Sequence, residues 1–345
     1  MSTTVGKDCR SLVREAIEGA LSGRPVSEPG RVARLFEIPI FSDGSAMLRA
    51  AARRLSERAC AGRAEIHAQT SVNVAPCPRN CAFCSFARQN EVFHESKELP
   101  LEYIVDICGQ FEAEGANAVL LMATGDFSFT RFLEIGAEVR RSLRPDTVLV
   151  ANTGDFDKPE GRELVQAGFS GIYHAVRLGE GRDTTIPVER RLKTFRAARE
   201  VGLTLGTCLE PVGPEHTTAE LVEKLLITRD AEPGYSGAAR RIPIPGTRLG
   251  DLGTVSEARM AHILAVVRLV LPLSIKGNCT HEPTILGASV GANLMWAEAG
   301  GNPRDTEEKT EEARGRTVGE IRDIFSEAEW SCLEGQSVFY TDGSR

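Results

Sequence analysis

Residues 101–123 read LEYIVDICGQFEAEGANAVLLMA, and this stretch contains one complete helix–strand unit. Apolar residues recur at helical spacing over Leu101–Glu114, Gly115 stands where that helix would end, and Ala118–Ala123 is a short apolar run typical of a buried strand. A similar unit recurs along most of the chain, with Gly168 in the place of Gly115. Parallel strands need such helical crossovers, so the pattern predicts a parallel sheet.

The recurrence of this unit decides the fold class. Strands are predicted at Ile66–Val74, Ala118–Ala123, Thr147–Asn152, Gly171–Val176, Leu203–Leu209, Ala238–Ile244, Leu271–Ile275 and Ala292–Ala297. Helical patterns lie between most of them, at Leu101–Glu114, Arg131–Leu143, Glu160–Ala167, Val188–Val201, Ala219–Arg229 and Val255–Val270. Eight units within roughly 230 residues favour an α/β fold of the (β/α)8 TIM-barrel type, and a doubly wound open sheet is the alternative.

The two ends of the chain read as additions to this barrel. Residues 1–62 have apolar positions at helical spacing and predict an N-terminal helical extension, whereas residues 63–300 hold the barrel. Residues 301–345 begin with a strongly charged run that predicts a solvated turn, followed by an amphipathic helix packed on the outside of the barrel. We therefore expect one domain with helical additions at both ends.

Composition excludes several classes of function. The 345 residues are 41% hydrophobic and carry a net charge of -7, so no basic excess indicates a nucleic-acid partner. We find no apolar run long enough for a membrane span and no apolar segment of a signal peptide near the first residue. Nine cysteines without an export signal favour the reduced cytoplasm, where clustered cysteines bind metal or do chemistry.

Three of these cysteines lie close together in the segment VNVAPCPRNCAFCSFA, directly after the first predicted strand. Cys77, Cys81 and Cys84 have the spacing CxxxCxxC, and their thiolates suit iron or zinc. An iron–sulfur cluster normally takes four cysteines, so three leave one iron open to an external ligand. A structural zinc site completed by His94, or a chance grouping, is the alternative.

The motif, with Phe83 just before its third cysteine, resembles the signature of the radical S-adenosylmethionine (SAM) superfamily. The resemblance implies that Cys77, Cys81 and Cys84 ligate a [4Fe–4S] cluster whose fourth iron is chelated by SAM, with Phe83 at the cofactor. The reduced cluster would cleave SAM to a 5′-deoxyadenosyl radical, which abstracts hydrogen from a substrate. A flavodoxin- or ferredoxin-type reductant and a small-molecule or carrier-bound substrate are the implied partners.

The order of segments over most of residues 65–300 resembles the biotin synthase-like group, which includes biotin synthase, methylornithine synthase and the hydrogenase maturases. By this resemblance Gly125 and Asp126 receive the SAM amine, His174 reaches the ribose, Arg191 pairs with the carboxylate, and the main chain at Ile242 meets the adenine. The alternatives are an ordinary tight turn, a structural histidine and a solvated helix face. In biotin synthase itself, three cysteines and an arginine also hold a second, sulfur-donating cluster.

Two further cysteines bear on the reaction. Cys208 and Cys279 are predicted near strand ends, close to two of the ligand positions of that second cluster, and they favour sulfur insertion like that of biotin or lipoyl synthase. The second and third predicted strands carry no cysteine, which favours rearrangement or C–C cleavage of the methylornithine synthase or maturase type. Burial as ordinary apolar residues is the third interpretation of both cysteines. Sulfur insertion by a transferase is the leading prediction.

Polar residues near other predicted strand ends are candidates for catalysis. His281 and Glu282 follow the seventh predicted strand and Glu210 follows the fifth, where they would transfer protons or bind a polar substrate, unless they only cap a helix. Arg240 and Arg241 are adjacent on a predicted strand, so one of them should face the barrel interior and bind an anionic substrate group. A non-enzymatic metal-binding module is the remaining alternative, although such carriers are typically small and ligate their cluster fully.

Overall fold

The computed structural model describes residues 2–306 and 315–340, without the side chains of residues 2–9. Its strands are β1 (Arg63–Ser71), β2 (Asn73–Val74), β3 (Lys97–Glu98), β4 (Ala118–Met122), β5 (Val148–Asn152), β6 (Gly171–Tyr173), β7 (Thr204–Gly206), β8 (Leu209–Val212), β9 (Tyr235–Arg240), β10 (Gly277–Cys279), β11 (Leu294–Ala299) and β12 (Ser331–Cys332). Its α-helices are α1 (Ser2–Leu21), α2 (Pro29–Phe36), α3 (Asp43–Ala59), α4 (Leu101–Ala113), α5 (Phe129–Ser142), α6 (Lys158–Gln166), α7 (Val188–Glu200), α8 (Thr218–Asp230), α9 (Glu257–Val270), α10 (Ile285–Ser289) and α11 (Val318–Glu327).

Eight parallel strands close into a barrel. Going round it, β1 is followed by β4, β5, β6, β7, β9, β10 and β11, and β11 pairs with β1 again. The register of β1 is fixed on both sides, since Ala68 pairs with Val119 of β4 and with Ala297 of β11. Helices connect successive barrel strands, and the prediction of a (β/α)8 barrel is confirmed. One hydrophobic core runs through the barrel, the N-terminal helices and α11.

The predicted seventh strand is wrong in position. Leu271–Ile275 is a turn, and the barrel strand is Gly277–Cys279. The buried Arg268 guanidinium donates to the carbonyl oxygens of Ile275 at 2.7 Å and of Pro272 at 3.0 Å, so these oxygens are not available to a sheet. Pro272 also lacks the N–H that a central strand would need.

The predicted solvated turn after Asn302 is also only partly correct. The chain crosses the carboxyl end of the barrel here, and Asp305 is fully buried. Arg304 pairs with the largely buried Glu298 at the end of β11, which explains why this charged residue turns inward. Residues 307–314 of the charged run lie outside the described residues, and α11 then packs against β1 and β11.

The short ladder of β2 and β3 positions the cysteine segment. Asn73 pairs with Glu98 and Val74 with Lys97, so residues 75–96 leave and re-enter the fold at one place. This excursion lies at the carboxyl end of β1, the face on which TIM barrels carry their active sites. No helix in the described part of the chain is long and apolar enough to cross a membrane.

Candidate active site

The cysteine segment folds into a compact loop stabilised by its own backbone. The amide of Cys77 donates to the Phe86 carbonyl at 2.6 Å, and the amide of Cys84 donates to Cys81 at 2.9 Å. The Asn90 side chain donates to the carbonyl of Cys84 at 2.8 Å. The loop therefore holds Cys77, Cys81 and Cys84 around one cavity at the mouth of the barrel.

Two other segments hold this loop against the barrel. Ser85 donates from its amide to Pro303 at 2.9 Å and from its hydroxyl to Asn302 at 2.8 Å. On the other side, the amide of Ala82 donates to Asp183 at 2.8 Å. The cysteine loop is thus fixed both to the chain that crosses the mouth and to the loop after β6.

The thiols suit an iron–sulfur cluster better than a single ion. Burial raises the pKa of all three thiols, Cys77, Cys81 and Cys84, and brings that of Cys81 to about 11 and that of Cys84 well above its ordinary value. A cationic group is therefore needed to keep three thiolates here. Within the described ranges, no three His, Cys, Asp or Glu side chains are grouped to hold one metal ion, and His94 is exposed outside the cavity. A cube of four irons instead binds each cysteine at its own corner.

The turn after β4 forms one wall of this cavity. The Thr124 amide donates to the Asn73 side chain at 3.0 Å, and the Thr124 hydroxyl donates to Asp126 at 2.9 Å. Gly125 lines the cavity, and its carbonyl accepts from Arg79 at 3.4 Å. Asp126 is exposed and lies outside the cavity lining, so the structure brings only the Gly125 part of the predicted pair to the site.

A buried polar network forms the opposite wall. Asp155 accepts from His174 at 2.9 Å and from Arg191 at 3.1 Å, and Arg191 also donates to Glu180 at 3.1 Å. Burial alone would raise the pKa of Asp155, but the His174 hydrogen bond and the nearby positive charges lower it overall. Burial lowers the pKa of His174 to about 4, against the opposing effect of Asp155. The network therefore presents an ionised carboxylate beside a neutral imidazole.

Asp155 was not among the residues selected from the sequence. It lies three residues beyond the carboxyl end of β5 and lines the cavity together with His174 and Arg191. The segment Asn152-Thr153-Gly154-Asp155 at a strand end was the available signal.

The segment after β9 closes the cavity. Ile242 lines it, as do both adjacent arginines. Arg240 pairs with Glu282 at 3.0 Å, whereas Arg241 makes a two-point contact with Glu215. β9 ends at Arg240, so the alternation of side chains between the two faces of a strand does not extend to Arg241. The prediction that one arginine faces the barrel interior and the other faces outward is therefore wrong.

A second, inner cavity lies below the cysteine-lined one, which we call the outer cavity. With open solvent included in both values, the space is ≈ 1120 Å³ in the outer cavity and ≈ 380 Å³ in the inner one. Arg177, Glu210, His281 and Arg304 line both, so the two are continuous. A ligand in the outer cavity therefore has direct access to one in the inner cavity.

The inner cavity is lined by charged and hydrogen-bonding side chains as well as by apolar ones. The Tyr173 hydroxyl donates to Oε1 of Glu210 at 2.6 Å, and the His281 ring stacks on Trp296 at 4.6 Å. Glu210 and His281 are residues that the sequence predicts for the site, and Arg177 and Arg304 are further charged residues of this lining. Glu282 lies outside both cavity linings, where it pairs with Arg240.

The remaining two predicted cysteines lie together in the barrel core. Cys208 is 2% and Cys279 0% exposed, and neither lines the inner or the outer cavity. Burial and the neighbouring Cys279 thiol raise the pKa of Cys208. The adjacent barrel strands present Leu120 and Val150 instead of further thiols.

Comparison with known proteins defines the class. The family profile of the Radical SAM superfamily matches residues 76–226, which include the cysteine loop and the His174–Arg191 wall. This part of the chain therefore matches the radical SAM superfamily.

Its sequence relatives include biotin synthases. The chain is 26% identical over 256 residues to biotin synthase from Phenylobacterium zucineum (strain HLK1), covering 70% of this chain and 76% of the relative. It is 27% identical over 253 residues to the enzyme from Desulforudis audaxviator (strain MP104C), covering 68% and 75%.

Solved structures support the fold. Methylornithine synthase (PylB) superposes with a TM-score of 0.76 at 17% identity, covering 94% of this chain and 97% of that one. The [FeFe]-hydrogenase maturase HydG from Carboxydothermus hydrogenoformans superposes with 0.75 at 18% identity, covering 97% and 82%. The comparisons thus support a radical SAM enzyme, similar in sequence to biotin synthases and in fold to methylornithine synthase and HydG.

Proposed function

We propose that this radical SAM enzyme abstracts a hydrogen atom from a small polar substrate in the inner cavity and thereby starts a rearrangement or a carbon–carbon bond cleavage. The observation that carries the proposal is the continuity of the two cavities. One is lined by three thiols, and the other by charged and hydrogen-bonding side chains instead of sulfur ligands.

The outer cavity has the residues that a cluster and SAM require. Cys77, Cys81 and Cys84 would hold three irons of a [4Fe–4S] cluster, and SAM would lie between them and the Asp155 wall. When bound, these groups supply the electron that cleaves SAM and the 5′-deoxyadenosyl radical that takes a hydrogen atom from the substrate.

The residues of the chain itself bind and orient. The ionised Asp155 carboxylate offers an acceptor to the hydroxyl or amine groups of SAM, and His174, Arg191 and Thr194 hold it in position. Because the Arg191 guanidinium is engaged by Asp155 and Glu180, we assign it to positioning these carboxylates; its predicted contact with the SAM carboxylate stays a prediction. Pro303, whose carbonyl accepts from the Ser85 amide, and Arg304, which pairs with Glu298, both line the inner cavity and would limit the access of water to it.

Sulfur insertion is the second candidate. The observation in its favour is that Cys208 and Cys279 lie beside each other, next to Tyr173 of the inner cavity, in a chain whose sequence relatives include biotin synthases. A sulfur-donating auxiliary cluster would need further ligands and access to the substrate. Neither thiol lines the inner cavity, and this favours the first candidate.

Two further assignments accompany the proposal. A flavodoxin- or ferredoxin-type protein would deliver one electron at a time to the cluster, and the cytoplasm would keep the thiols reduced. Both assignments rest on the resemblance to the radical SAM superfamily and on the cysteine usage of the chain.

The first experiment measures 5′-deoxyadenosine produced from SAM by the anaerobically reconstituted and reduced protein. Wild type should bind about four irons and form 5′-deoxyadenosine, and Cys77→Ala, Cys81→Ala and Cys84→Ala should each abolish the product. Cys332→Ala is the matched control, because this thiol lies on β12, away from the site, and it should behave as wild type. A protein that binds only zinc, or three alanine variants that retain SAM cleavage, would contradict the proposal.

Iron content separates the two candidates. A rearrangement or cleavage enzyme should hold one cluster, with the same iron content in Cys208→Ala and Cys279→Ala. Iron well above one cluster that is lost in either variant, together with sulfur in the product, would establish insertion instead.

A further inference from the structure

Two charged side chains of the inner cavity have hydrogen-bonding capacity that the protein does not use. Arg177 donates no side-chain hydrogen bond to any residue of the described ranges, and its Nε lies 3.7 Å from Oε1 of Glu210, beyond hydrogen-bond distance. Oε1 of Glu210 accepts from Tyr173, whereas no described residue donates to Oε2. Arg177 and Glu210 both line the cavity, so an open donor and an open acceptor face the same space.

The charges around this space cancel. Arg304 is already paired with Glu298, which lies behind the cavity wall. Arg177 and Glu210 are the second pair of opposite charges, so these four groups together carry no net charge. A ligand with a net charge would leave that charge uncompensated in a poorly solvated cavity, which is costly. A ligand that is neutral overall keeps the charges of the cavity balanced. If it carries a separate anionic and cationic group, it can also bind the open donor of Arg177 and the open acceptor of Glu210.

We propose that the inner cavity binds a small zwitterion, a molecule with a carboxylate and an amine close together, as in a free amino acid. This inference rests on the proposed function, because it identifies the substrate class of the same site. The carboxylate would accept from the Arg177 guanidinium, which can donate two parallel hydrogen bonds, and the ammonium would donate to Oε2 of Glu210. The Trp296 and His281 rings supply a flat wall for the rest of the molecule.

Equilibrium binding tests the inference without turnover. The protein is reconstituted with its cluster, left unreduced, and titrated calorimetrically with individual proteinogenic amino acids. The best binder is then compared with its decarboxylated amine and its deaminated acid, which keep the same side chain. We expect each analogue to bind about tenfold to a hundredfold more weakly, the effect of losing one charge-assisted contact. Binding of no amino acid, or equal binding of the deaminated acid, would overturn the inference.

Variants assign the two contacts. Glu210→Gln should weaken amino acid binding about tenfold but leave the deaminated acid unaffected, so the preference between the two ligands falls. Arg177→Gln should weaken the amino acid and the deaminated acid but spare the amine. A misfolded variant would lose all ligands alike, and iron content checks this separately. Glu232→Gln, an exposed carboxylate paired with Arg199, is the control and should match wild type. If the relative affinities for the amino acid, its amine and its deaminated acid are the same in Glu210→Gln and Arg177→Gln as in wild type, the assignment is contradicted.

SAM cleavage, measured without added substrate, distinguishes a failure of the inferred substrate class from a failure of the proposed radical SAM function. If wild type forms 5′-deoxyadenosine but discriminates against zwitterions, the substrate class is wrong and the radical SAM function stands. If wild type forms none, the proposed function fails whatever the binding experiment gives.

Discussion

Replacing His174 by glutamine should remove much of the acid sensitivity of the fold. Burial lowers the pKa of His174 from the ordinary 6.5 to about 4, so the unfolded chain binds a proton at pH 5 that the folded protein does not. The free energy of unfolding therefore falls as the pH falls below 6.5. Between pH 7 and pH 5 this one group lowers it by about 2 kcal/mol. Glutamine does not titrate and can still donate a hydrogen bond to Asp155.

Urea denaturation of the iron-free, reduced protein at both pH values measures the effect. Wild type should lose about 2 kcal/mol more than His174→Gln on going from pH 7 to pH 5. His262→Gln is a matched variant outside the site, since burial also lowers the pKa of His262 to about 4. Equal pH dependence of wild type and His174→Gln would refute a buried neutral imidazole in the Asp155 wall.

Three further predictions concern the site and its supports. Asp155→Asn should weaken SAM binding by about tenfold with unchanged iron content, measured by equilibrium dialysis; tight binding would exclude Asp155 as an acceptor. Glu298→Gln should leave the partly buried Arg304 without its counter-charge and lower the free energy of unfolding by about 2 kcal/mol in urea, and an unchanged value would show that the pair contributes nothing. Tyr340→Phe removes the 3.0 Å hydrogen bond between the hydroxyls of Tyr340 and Tyr235, so it should cost about 1 kcal/mol and spare SAM cleavage; lost cleavage would contradict a purely structural role.

The barrel follows from local patterns, because most helix–strand units have their own apolar periodicity and some of the helices end at a glycine, such as Gly115 and Gly168. The error at Leu271–Ile275 has a tertiary cause. The Arg268 guanidinium takes the carbonyl oxygens of that apolar run, and nothing in the run itself reveals this. The inward path of Arg304 likewise depends on Glu298, whose burial is decided by the closed barrel.

The candidate site also has some features that local sequence predicts and others that depend on tertiary contacts. The cysteine loop could be predicted because its spacing is local, and Gly125 because it follows a strand. The convergence of Asp155, His174 and Arg191 could not, since Asp155 follows β5 whereas His174 and Arg191 belong to the connection between β6 and β7. Arg177 shows the same limit, because its open guanidinium becomes apparent only when every neighbouring acceptor has been located.

The central claim is that three thiolates hold a cluster whose remaining iron is reached by SAM. Electron paramagnetic resonance of the reduced, reconstituted protein, recorded with and without SAM, tests it most directly. We predict a signal of a reduced [4Fe–4S] cluster that changes shape when SAM is added and is absent from the protein with Cys77, Cys81 and Cys84 all changed to alanine. A signal that is indifferent to SAM, or that survives the loss of the three thiols, would contradict the account.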